Sequence, residues 1–499
     1  MKLKDDKFYI LLSFLLYFFL GANLVIAKDF PFKSAPINPA FEEFIIKEGK
    51  VPKRPAGKHP LGLGLIPNPI KLRPHKPKKE LKALTLPNRY DLRDEGLLTP
   101  IKDQNPYGTC WAFATYGSLE SDLLKLAQPV YDFSENNLVN KHDFDLGFND
   151  GGNISMSSAY LARGDGPVLE SCDPYPNPGN SPNCPRVKYI EDIVWLPGRQ
   201  NTNDNEYLKQ AVYDHGAVYT SMYWNGTFYN SSTHTYYYHG TESANHAVVI
   251  VGWNDNKQTK ASNPGAWIVR NSWGENFGEN GYFYVSYYDT AFAFDTNAYF
   301  IDRPDLNNGN FTIHQYDELG LENALGCAYG NTIYGANVFR ANKFQRIEAV
   351  SFFAFEPADY EIRIYKNCNN PNNISTPPAI TQTGSISEPG YYTIDLNTPL
   401  YVQKDSYFLV MVKFTTTSSN TYPLGIEEKI NNYSRGATCN RGESFVSCDG
   451  KTWYDICGYY GYYGCWTNVC IKALATSTFT PPPPPTNNIT PIIMLLLGE

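Results

Sequence analysis

The spacing of apolar residues predicts that helices come first and strands later in the N-terminal half of the chain. A buried helix is predicted over Cys110 to Leu126, where apolar residues recur at helical spacing with few breakers. Further segments are predicted as helices at Ser157 to Arg163 and Asn205 to His215, and as strands at Val218 to Tyr223, Ala247 to Trp253, Ala266 to Asn271 and Gly281 to Tyr288. Helices followed by antiparallel strands favour an α+β domain of two lobes with a cleft between them.

Beyond Arg303 and Pro304 the pattern changes to short runs of alternating apolar and polar residues, separated by Gly, Asn and Pro turns. These runs are Ala349 to Phe355, Tyr360 to Tyr365, Tyr391 to Leu396, Tyr407 to Phe414 and Val469 to Leu474. Such spacing is typical of an all-β sandwich. We therefore expect residues 303–310 to be a linker, in which case a chain cut after Pro304 keeps an α+β domain with its own core. The alternative is that the sandwich packs over the cleft and supports the two lobes.

The N-terminus predicts secretion. Lysines at positions 2, 4 and 7 precede an apolar run from Tyr9 to Leu20, and Val25 to Ala27 provide small residues for a cleavage site. An uncleaved membrane anchor is the alternative, although the run is short for a bilayer span. The region after Ala27 is rich in Pro, Lys and Gly, with little apolar periodicity beyond Phe41 to Ile46. We expect a pro-segment there rather than a folded domain.

These boundaries divide the chain into five parts. They are a signal peptide (1–27), a pro-segment (28–84), an α+β domain (85–304), a β-sandwich (310–476) and a tail (477–499). The tail holds a polyproline spacer, Pro481 to Pro485, and an apolar run, Ile489 to Leu497, that is too short to span a bilayer. A sorting tail and a truncated end both stay open for it. The 499 residues, 42% of them hydrophobic, suffice for two cores.

Charge and cysteine content narrow the range of possible partners, cofactors and cellular compartments. The net charge of −8 comes with no long block of like charge, so we expect no nucleic-acid partner. Ten cysteines fit an oxidising compartment. Cys172 and Cys184 bracket a loop rich in Pro, Asn and Gly and are predicted to pair, whereas the seven cysteines of the C-terminal half leave at least one over. Their spacing and the lack of nearby histidines argue against zinc, so we expect no metal and no cofactor.

Three segments together carry candidate chemistry. Cys110 comes directly before a helix-forming, aromatic-rich run, with Gln104 six residues upstream. His246 precedes an apolar strand, and Asn271 begins the motif Asn-Ser-Trp-Gly. Each residue alone has an ordinary structural interpretation, and a lone cysteine in a secreted protein is more often a disulfide partner. The ordered combination with Trp273 makes coincidence improbable.

Acyl transfer to a thiol needs a nucleophile with oxyanion donors, a base, and a group that orients the base. A thiol at a helix N-terminus is favoured as the thiolate, and His246 would complete a thiolate–imidazolium pair. Asn271 would fix the imidazole tautomer, and Trp273 would shield that bond from water. The Gln104 amide and the backbone N–H of Cys110 would hold the oxyanion.

With these signatures in this order, the stretch from Leu86 to Tyr288 resembles papain-like cysteine proteases, the family of papain and the cathepsins. The resemblance implies a two-lobed papain-like fold and cysteine endopeptidase activity on protein or peptide substrates. It implies a catalytic set of Gln104, Cys110, His246 and Asn271, and a substrate-binding set of Gly151, Gly152, Asn153, Ile154, Ala244, Ala247 and Trp273. Gly151 and Gly152 would pair with the substrate main chain. Ile154 and the two alanines favour an apolar P2 residue.

Two departures from the family pattern affect the expected structure. Tyr107 stands where the family usually has a cysteine. The disulfide that anchors residues 104–109, the nucleophile loop, is therefore absent. The pro-segment is short and lacks the long charged helical motif of cathepsin-L-like propeptides. His59 to Pro67 are the candidate for occupying the cleft in extended form.

The C-terminal half resembles the lectin-like β-sandwich appended to some microbial papain-like peptidases. The matching segments are Tyr407 to Phe414, Ser444 to Trp453 and Asn468 to Leu474. The resemblance implies attachment to a cell-surface glycan. Candidates for stacking on sugars are Trp453, Tyr459 to Tyr463 and Trp466, whose alternative role is to fill the sandwich core or cover the cysteines.

The sequence therefore predicts an extracellular or cell-surface cysteine endopeptidase with an appended glycan-binding domain. The alternative is a non-catalytic surface adhesin that uses the peptidase fold as a scaffold. The intact set of four catalytic residues argues against that alternative, because a scaffold has no reason to keep all four.

Overall fold

A computed structural model of the chain describes residues 31–48, 63–73, 86–302, 311–457 and 467–477. Within them the helices are α1 (Pro39–Glu48), α2 (Cys110–Lys125), α3 (Glu135–Lys141), α4 (Ile154–Ala162) and α5 (Glu206–His215). The first strands are β1 (Phe32–Ser34), β2 (Arg89–Asp91), β3 (Asp192–Leu196), β4 (Val218–Met222), β5 (Tyr229–Asn230), β6 (Thr235–Tyr236), β7 (His246–Asn254), β8 (Ala266–Arg270), β9 (Tyr282–Ser286) and β10 (Asn297–Ile301). The later strands are β11 (Phe311–His314), β12 (Asn323–Cys327), β13 (Thr332–Arg340), β14 (Gln345–Ala354), β15 (Ala358–Lys366), β16 (Ile380–Ile386), β17 (Gly390–Val402), β18 (Tyr407–Thr415), β19 (Leu424–Glu428), β20 (Ser444–Ser447), β21 (Tyr454–Asp455), β22 (Thr467–Val469) and β23 (Ile471–Thr476).

Helix α2 is the central element of the N-terminal domain. All of its residues from Cys110 to Leu123 are buried, and the helix packs against β7, β4 and β10. Strand β7 lies between β4 and β8 in an antiparallel arrangement, and β9 continues the sheet beyond β8. The pairing of Met222 with His246 fixes the register of β4 and β7. The predicted helices and strands of this domain are confirmed with shifts of a few residues, and the α+β class is confirmed with them.

The C-terminal half is the predicted β-sandwich. One sheet has six strands in the order β16, β15, β18, β13, β20 and β21. The facing sheet includes β12, β14, β17, β19 and β23. Alternate side chains of the two sheets, among them Phe352, Val410 and Ile471, fill a dry core between them.

The two domains share a sheet and a core. Strand β17 pairs with β3, with Tyr391 opposite Ile193, and the hydroxyl groups of Tyr189 and Tyr391 are 2.5 Å apart. Leu319, Phe353, Tyr433 and Leu474 of the sandwich belong to the hydrophobic core of the α+β domain. The sandwich therefore contributes side chains to the core of the α+β domain, which a tyrosine-rich interface does not reveal in sequence because it has the same pattern as a sandwich interior. The linker expected at residues 303–310 lies outside the described residues.

The region before the α+β domain packs against both domains. Strand β1 extends the sandwich by pairing Phe32 with Cys327, and the Phe41 ring of α1 lies 4.9 Å from that of Tyr433. Ile66, Ile70 and Leu72 are also buried. Residues 31–48 and 63–73 therefore contain short ordered elements, and their assignment to a pro-segment stays a prediction. The few apolar residues of these segments are enough to order them, because they pack on surfaces that the two domains provide.

Cysteine pairing follows the expectation in part. Cys172 and Cys184 form the predicted disulfide, with a Cα separation of 6.0 Å. Cys327 pairs with Cys448 and Cys439 with Cys457, both within the sandwich. Cys110, Cys368 and Cys470 carry thiols. Cys465 lies outside the described residues, as do the predicted signal peptide and tail. No helix among the described residues is long and apolar enough to cross a membrane.

Because buried carboxyl groups have raised pKa values, we expect the free energy of unfolding to fall as pH rises. Burial raises the pKa of Glu427 to about 8, against donors from Leu319 and Asn468 that lower it, and burial also raises the pKa of Glu322. Between the ordinary glutamate value of 4.5 and about 8, the folded state keeps a proton that the unfolded state releases. The melting temperature should therefore decrease as pH rises through this window. Glu427→Gln should flatten the decrease and the exposed neighbour Glu318→Gln should not. Equal profiles for both variants would contradict the assignment.

Candidate active site

Cys110 lies where the nucleophile loop meets helix α2. It is the first residue of the helix and is fully buried. The backbone N–H of Ala247 donates to its Sγ at 3.4 Å. N–H groups in the first helical turn have no carbonyl partner within the helix, and the helix dipole places partial positive charge there. Both features stabilise a thiolate at this position.

His246 begins β7, and Asn271 follows β8. The imidazole Nε2 lies 2.9 Å from Oδ1 of Asn271. Because an amide oxygen only accepts, Nε2 carries the proton, which leaves Nδ1 to exchange a proton with a thiol. The indole of Trp273 stacks on the imidazole, with centroids 4.7 Å apart and planes 16° apart. The structure therefore brings His246, Asn271 and Trp273 together in the predicted arrangement.

Gln104 is held rigidly beside these residues. Its Oε1 accepts from the Ser272 hydroxyl at 2.6 Å, and its Nε2 donates to the carbonyl of Tyr107 at 2.8 Å. The backbone N–H of Gln104 also donates to the carbonyl of Ser272 at 2.9 Å. The amide is thus oriented by two elements, as an oxyanion donor must be. Ser272 was not predicted, although it stands inside the Asn271 motif.

A second histidine near the nucleophile helix does not compete as a base. His142 caps the end of α3, and its Nδ1 accepts from the backbone N–H of Phe144 at 2.9 Å. Burial lowers the pKa of His142 to about 3, and the charge of Arg163 acts in the same direction. The side chain is therefore neutral and structural.

An aromatic cluster surrounds Tyr107, the residue that stands where the resemblance implies a disulfide-bonded cysteine. The Tyr175 hydroxyl donates to the carbonyl of Gln104 at 2.6 Å and lies 2.8 Å from the Thr109 hydroxyl. Its ring contacts those of Tyr107, Phe113 and Phe148. The loop that carries Tyr175 is closed by the Cys172–Cys184 disulfide. The nucleophile loop is thereby anchored at both ends through one side chain that sequence reasoning did not identify.

Tyr175→Phe should therefore loosen the nucleophile loop while keeping its packing. We expect a loss of roughly 1 kcal/mol in unfolding free energy and about a tenfold loss in kcat/KM, because two hydrogen bonds to this loop are removed. Urea unfolding and peptide hydrolysis measure the two effects. Tyr329→Phe, at a side chain that is 91% exposed, is the matched control. Unchanged kinetics in Tyr175→Phe would mean that the ring alone holds the loop.

The predicted main-chain strip is occupied by the region before the domain. Gly152 donates its N–H to the carbonyl of Gly64 at 2.9 Å and accepts from the N–H of Ile66 at 3.0 Å. Leu65 forms a parallel bridge with Gly152, and its N–H donates to the carbonyl of Asn245 at 3.3 Å. A Cβ on Gly152 would lie 2.3 Å from the Trp111 ring, so the packing of this position on Trp111 requires glycine. The part of the expected cleft segment that the structure describes, from Leu63 to Pro67, is extended in the cleft, whereas its first residues, 59–62, lie outside the described ranges.

The remaining predicted binding residues lie in different places. Asn153 caps α4 by accepting from the N–H of Met156, and its Nδ2 donates to the carbonyl of Pro67 at 3.1 Å. Ile154 is buried at 1% exposure, whereas Ala244 lines a cavity of about 210 Å³ that residues 65–68 also line. Ala247 contributes its N–H to the thiol. The apolar P2 preference expected from Ile154 and the two alanines stays a prediction.

Comparisons with known proteins agree with this geometry. Residues 86–300 match the sequence model described as papain family cysteine protease, and residues 313–475 match that of a lectin like domain. The chain is 33% identical over 211 residues to the viral cathepsin of Heliothis zea nuclear polyhedrosis virus, covering 40% of this chain and 53% of that one. It is 31% identical over 207 residues to cathepsin K of Mus musculus, covering 40% and 59%. The chain thus spans about half the length of the curated relatives it matches.

Two solved structures resemble most of the chain. The cysteine protease and lectin-like domains of Cwp84, a surface layer associated protein of Clostridium difficile, superpose with a TM-score of 0.72 at 24% identity, covering 90% of this chain and 99% of that one. A variant of the clostridial cysteine protease Cwp84 after propeptide cleavage gives a TM-score of 0.66 at 27% identity, covering 78% and 99%. The two-domain arrangement is therefore shared with these proteins.

Proposed function

We propose that the protein is a cysteine endopeptidase made as an inactive precursor. Residues 86–300 match the sequence model of the papain family of cysteine proteases, and residues 313–475 match that of a lectin like domain. The observation that carries this proposal is the bond between His246 and Asn271 beside the thiol of Cys110 at a helix N-terminus. A scaffold without catalysis would need none of these positions. The adhesin alternative has no observation in its favour.

The residues divide the reaction between them. The Cys110 thiolate adds to the carbonyl carbon of the scissile bond, and the carbonyl π electrons move onto the oxygen, which the Gln104 amide and the backbone N–H of Cys110 stabilise. His246 then gives its proton to the leaving amine as the C–N bond breaks, forming a thioester. Water attacks the thioester with His246 as base, and the carboxylic acid and the thiol are released.

The precursor is inactive because its own chain fills the substrate strip. An extended substrate needs the N–H and the carbonyl of Gly152, both of which are bonded to residues 64–66. The approach depends on Gly64, where a Cβ would lie 1.9 Å from the carbonyl oxygen of Gly108. Cleavage between Lys79 and Leu86, which falls largely in the undescribed residues 74–85, is the proposed maturation step.

Gly64→Ala tests this arrangement directly. We expect the uncleaved precursor to gain peptidase activity by about tenfold or more, because the new methyl group cannot fit against the backbone of Gly108 and the segment must leave the cleft. Hydrolysis of a small fluorogenic peptide by the uncleaved protein measures the gain. Glu42→Ala, on the exposed side of α1, is the matched control and should stay inactive. An inactive Gly64→Ala precursor that becomes active on cleavage would show that another contact blocks the site.

Extracellular location and glycan attachment belong to the same proposal. Three disulfides among the described residues support an oxidising compartment. Trp453, a predicted sugar-stacking residue, is instead buried against Tyr334, while 459–463 and Trp466 fall outside the described residues. A polar depression on the six-stranded sheet, lined by Asp359, Tyr360 and Lys413, is the better candidate. Binding of the full chain to purified cell-wall polysaccharide, with and without Asp359→Ala, tests it.

A further inference from the structure

One edge of the sandwich is covered by the proposed pro-segment. Strand β12 has β1 on one side and β19 on the other. The N–H of Ala35 donates to the carbonyl of Ala324 at 2.8 Å. At the other end of β1, the N–H of Ala328 donates to the carbonyl of Pro31 at 2.7 Å. When the pro-segment leaves, β12 becomes an edge strand whose main-chain groups can pair with another chain.

One side chain of β1 is buried in the sandwich itself. Phe32 is 7% exposed and belongs to the same core cluster as Leu325 of β12. Its ring meets the ring of Tyr454 edge-on, with centroids 5.6 Å apart. When β1 leaves, the apolar surface around Phe32 meets water, which costs free energy until another apolar side chain covers it.

Two basic side chains of the pro-segment converge on one ring of the sandwich. Nζ of Lys33 lies 5.5 Å from the centroid of the Tyr422 ring, and the guanidinium carbon of Arg73 lies 4.7 Å from it. Lys33 also donates to the side-chain oxygen of Asn420 at 2.5 Å, and Arg73 donates to its carbonyl at 2.8 Å. The carboxylate of Glu356 lies 3.6 Å from Arg73 and accepts from the backbone N–H of Tyr422 at 2.9 Å. A ring face beside these acceptors suits a cationic side chain.

The precursor shows that one polypeptide can engage this edge and the catalytic cleft together. Residues 31–35 pair with β12, and residues 64–66 of the same chain bond to Gly152 in the cleft. A protein substrate is the other chain that enters the cleft, so a segment elsewhere along it can reach the edge once the pro-segment has left. Linking the two contacts in one chain raises the effective concentration of the second.

We propose that the vacated edge of β12 binds an extended segment of the protein substrate, with an aromatic residue in the place of Phe32 and a lysine or arginine in the place of Lys33. The inference rests on the proposed peptidase function and adds a contact in the sandwich, outside the proposed catalytic domain. Main-chain hydrogen bonds to β12 supply affinity, and the alternate side chains supply selectivity. The aromatic residue covers the surface that Phe32 leaves, and the basic residue lies over Tyr422.

Peptide binding to the Cys110→Ala protein, cleaved by an added protease and separated from its pro-segment, tests the site without catalysis. A fluorescent peptide with the sequence of residues 31–37 should bind at least about tenfold more tightly than the same peptide with Phe32→Ala. In the protein, Asn420→Asp adds a negative charge beside the basic residue and should strengthen binding by about threefold. Asn397→Asp, at an exposed asparagine of β17 whose N–H donates to Gln382, is the matched control and should leave binding unchanged.

Hydrolysis separates this site from the proposed catalysis. A protein substrate that carries the segment at a spacing like that between Lys33 and Leu65 should have a kcat/KM at least about tenfold higher than one with Lys33→Glu in the segment. Equal binding of the peptides, retention of the pro-segment after cleavage, or pairing of two processed chains through β12 would each overturn the site and leave the peptidase proposal intact. Selective binding with no hydrolysis of either substrate would instead overturn the peptidase proposal, while the peptide-binding edge would stand.

Discussion

Cys110→Ala is expected to abolish peptide hydrolysis by the processed protein without unfolding it. In enzymes whose nucleophile and base act as a unit, removing either costs up to about 10⁶-fold in kcat, and we expect a loss of at least about 10⁵-fold on that basis. Since Cys110 is a small buried side chain at a helix start, alanine keeps the helix and removes only the sulfur. Loss of hydrolysis with an unchanged melting temperature is the expected result.

The matched control is another thiol. Cys368→Ala removes a partly exposed cysteine of the sandwich, whose Sγ lies 3.4 Å from the carbonyl oxygen of Asn370 in its own loop. It should leave kcat/KM unchanged. His246→Ala should reproduce the loss seen for Cys110→Ala, and the double variant should be no worse than either, because the two residues act in one step. Hydrolysis that survives in Cys110→Ala would assign the activity to another site or protein.

Removing the C-terminal half is expected to unfold the protease domain. A chain ending at Asp302 keeps β10 beside β3 but loses the pairing of β3 with β17. It also loses aromatic residues that close the core, including Phe353, Tyr391 and Tyr433. Truncating one buried aromatic side chain costs about 3–5 kcal/mol. The total stability of a domain is about 5–15 kcal/mol. The loss of several such residues therefore exceeds what the remaining fold can tolerate.

One residue of this interface allows a finer test. The ring of Tyr433 packs against Phe41 and Phe144, and its hydroxyl lies 3.2 Å from Oδ1 of Asn153 at the cleft. Tyr433→Ala should lower the unfolding free energy by about 3–5 kcal/mol and reduce activity, whereas Tyr329→Ala, at an exposed ring, should change neither. For the chain that ends at Asp302, an unchanged melting temperature and an unchanged KM would contradict both predictions and show that the sandwich is an independent module.

The sequence predicts the catalytic set because each residue is read from a short local motif. Cys110 precedes a helical run, and His246 and Asn271 adjoin strands whose apolar character is visible in the sequence. Their mutual geometry follows once the two lobes fold together. The elements around them are predictable for the same reason, since periodicity of apolar residues reports which face of a helix or strand is buried.

Contacts between distant segments were not predictable in this way. Tyr175 anchors the nucleophile loop from a Pro-rich segment with no periodicity. The shared core depends on Tyr433 and Tyr391, which have the same local pattern as residues inside a sandwich. The burial of Ile154 was not predictable either, because its position beside two glycines says nothing about the direction of its side chain.

Labelling of the processed protein by a peptide epoxide, followed by peptide mass mapping, tests the central claim most directly. The reagent alkylates a thiolate that a neighbouring imidazolium activates, so it reads out the catalytic pair without a substrate. The account predicts one modification, on Cys110, that appears only after the pro-segment is removed, with Cys368 and Cys470 unlabelled. Modification of a different cysteine, or none at Cys110 once the pro-segment has left, would contradict it.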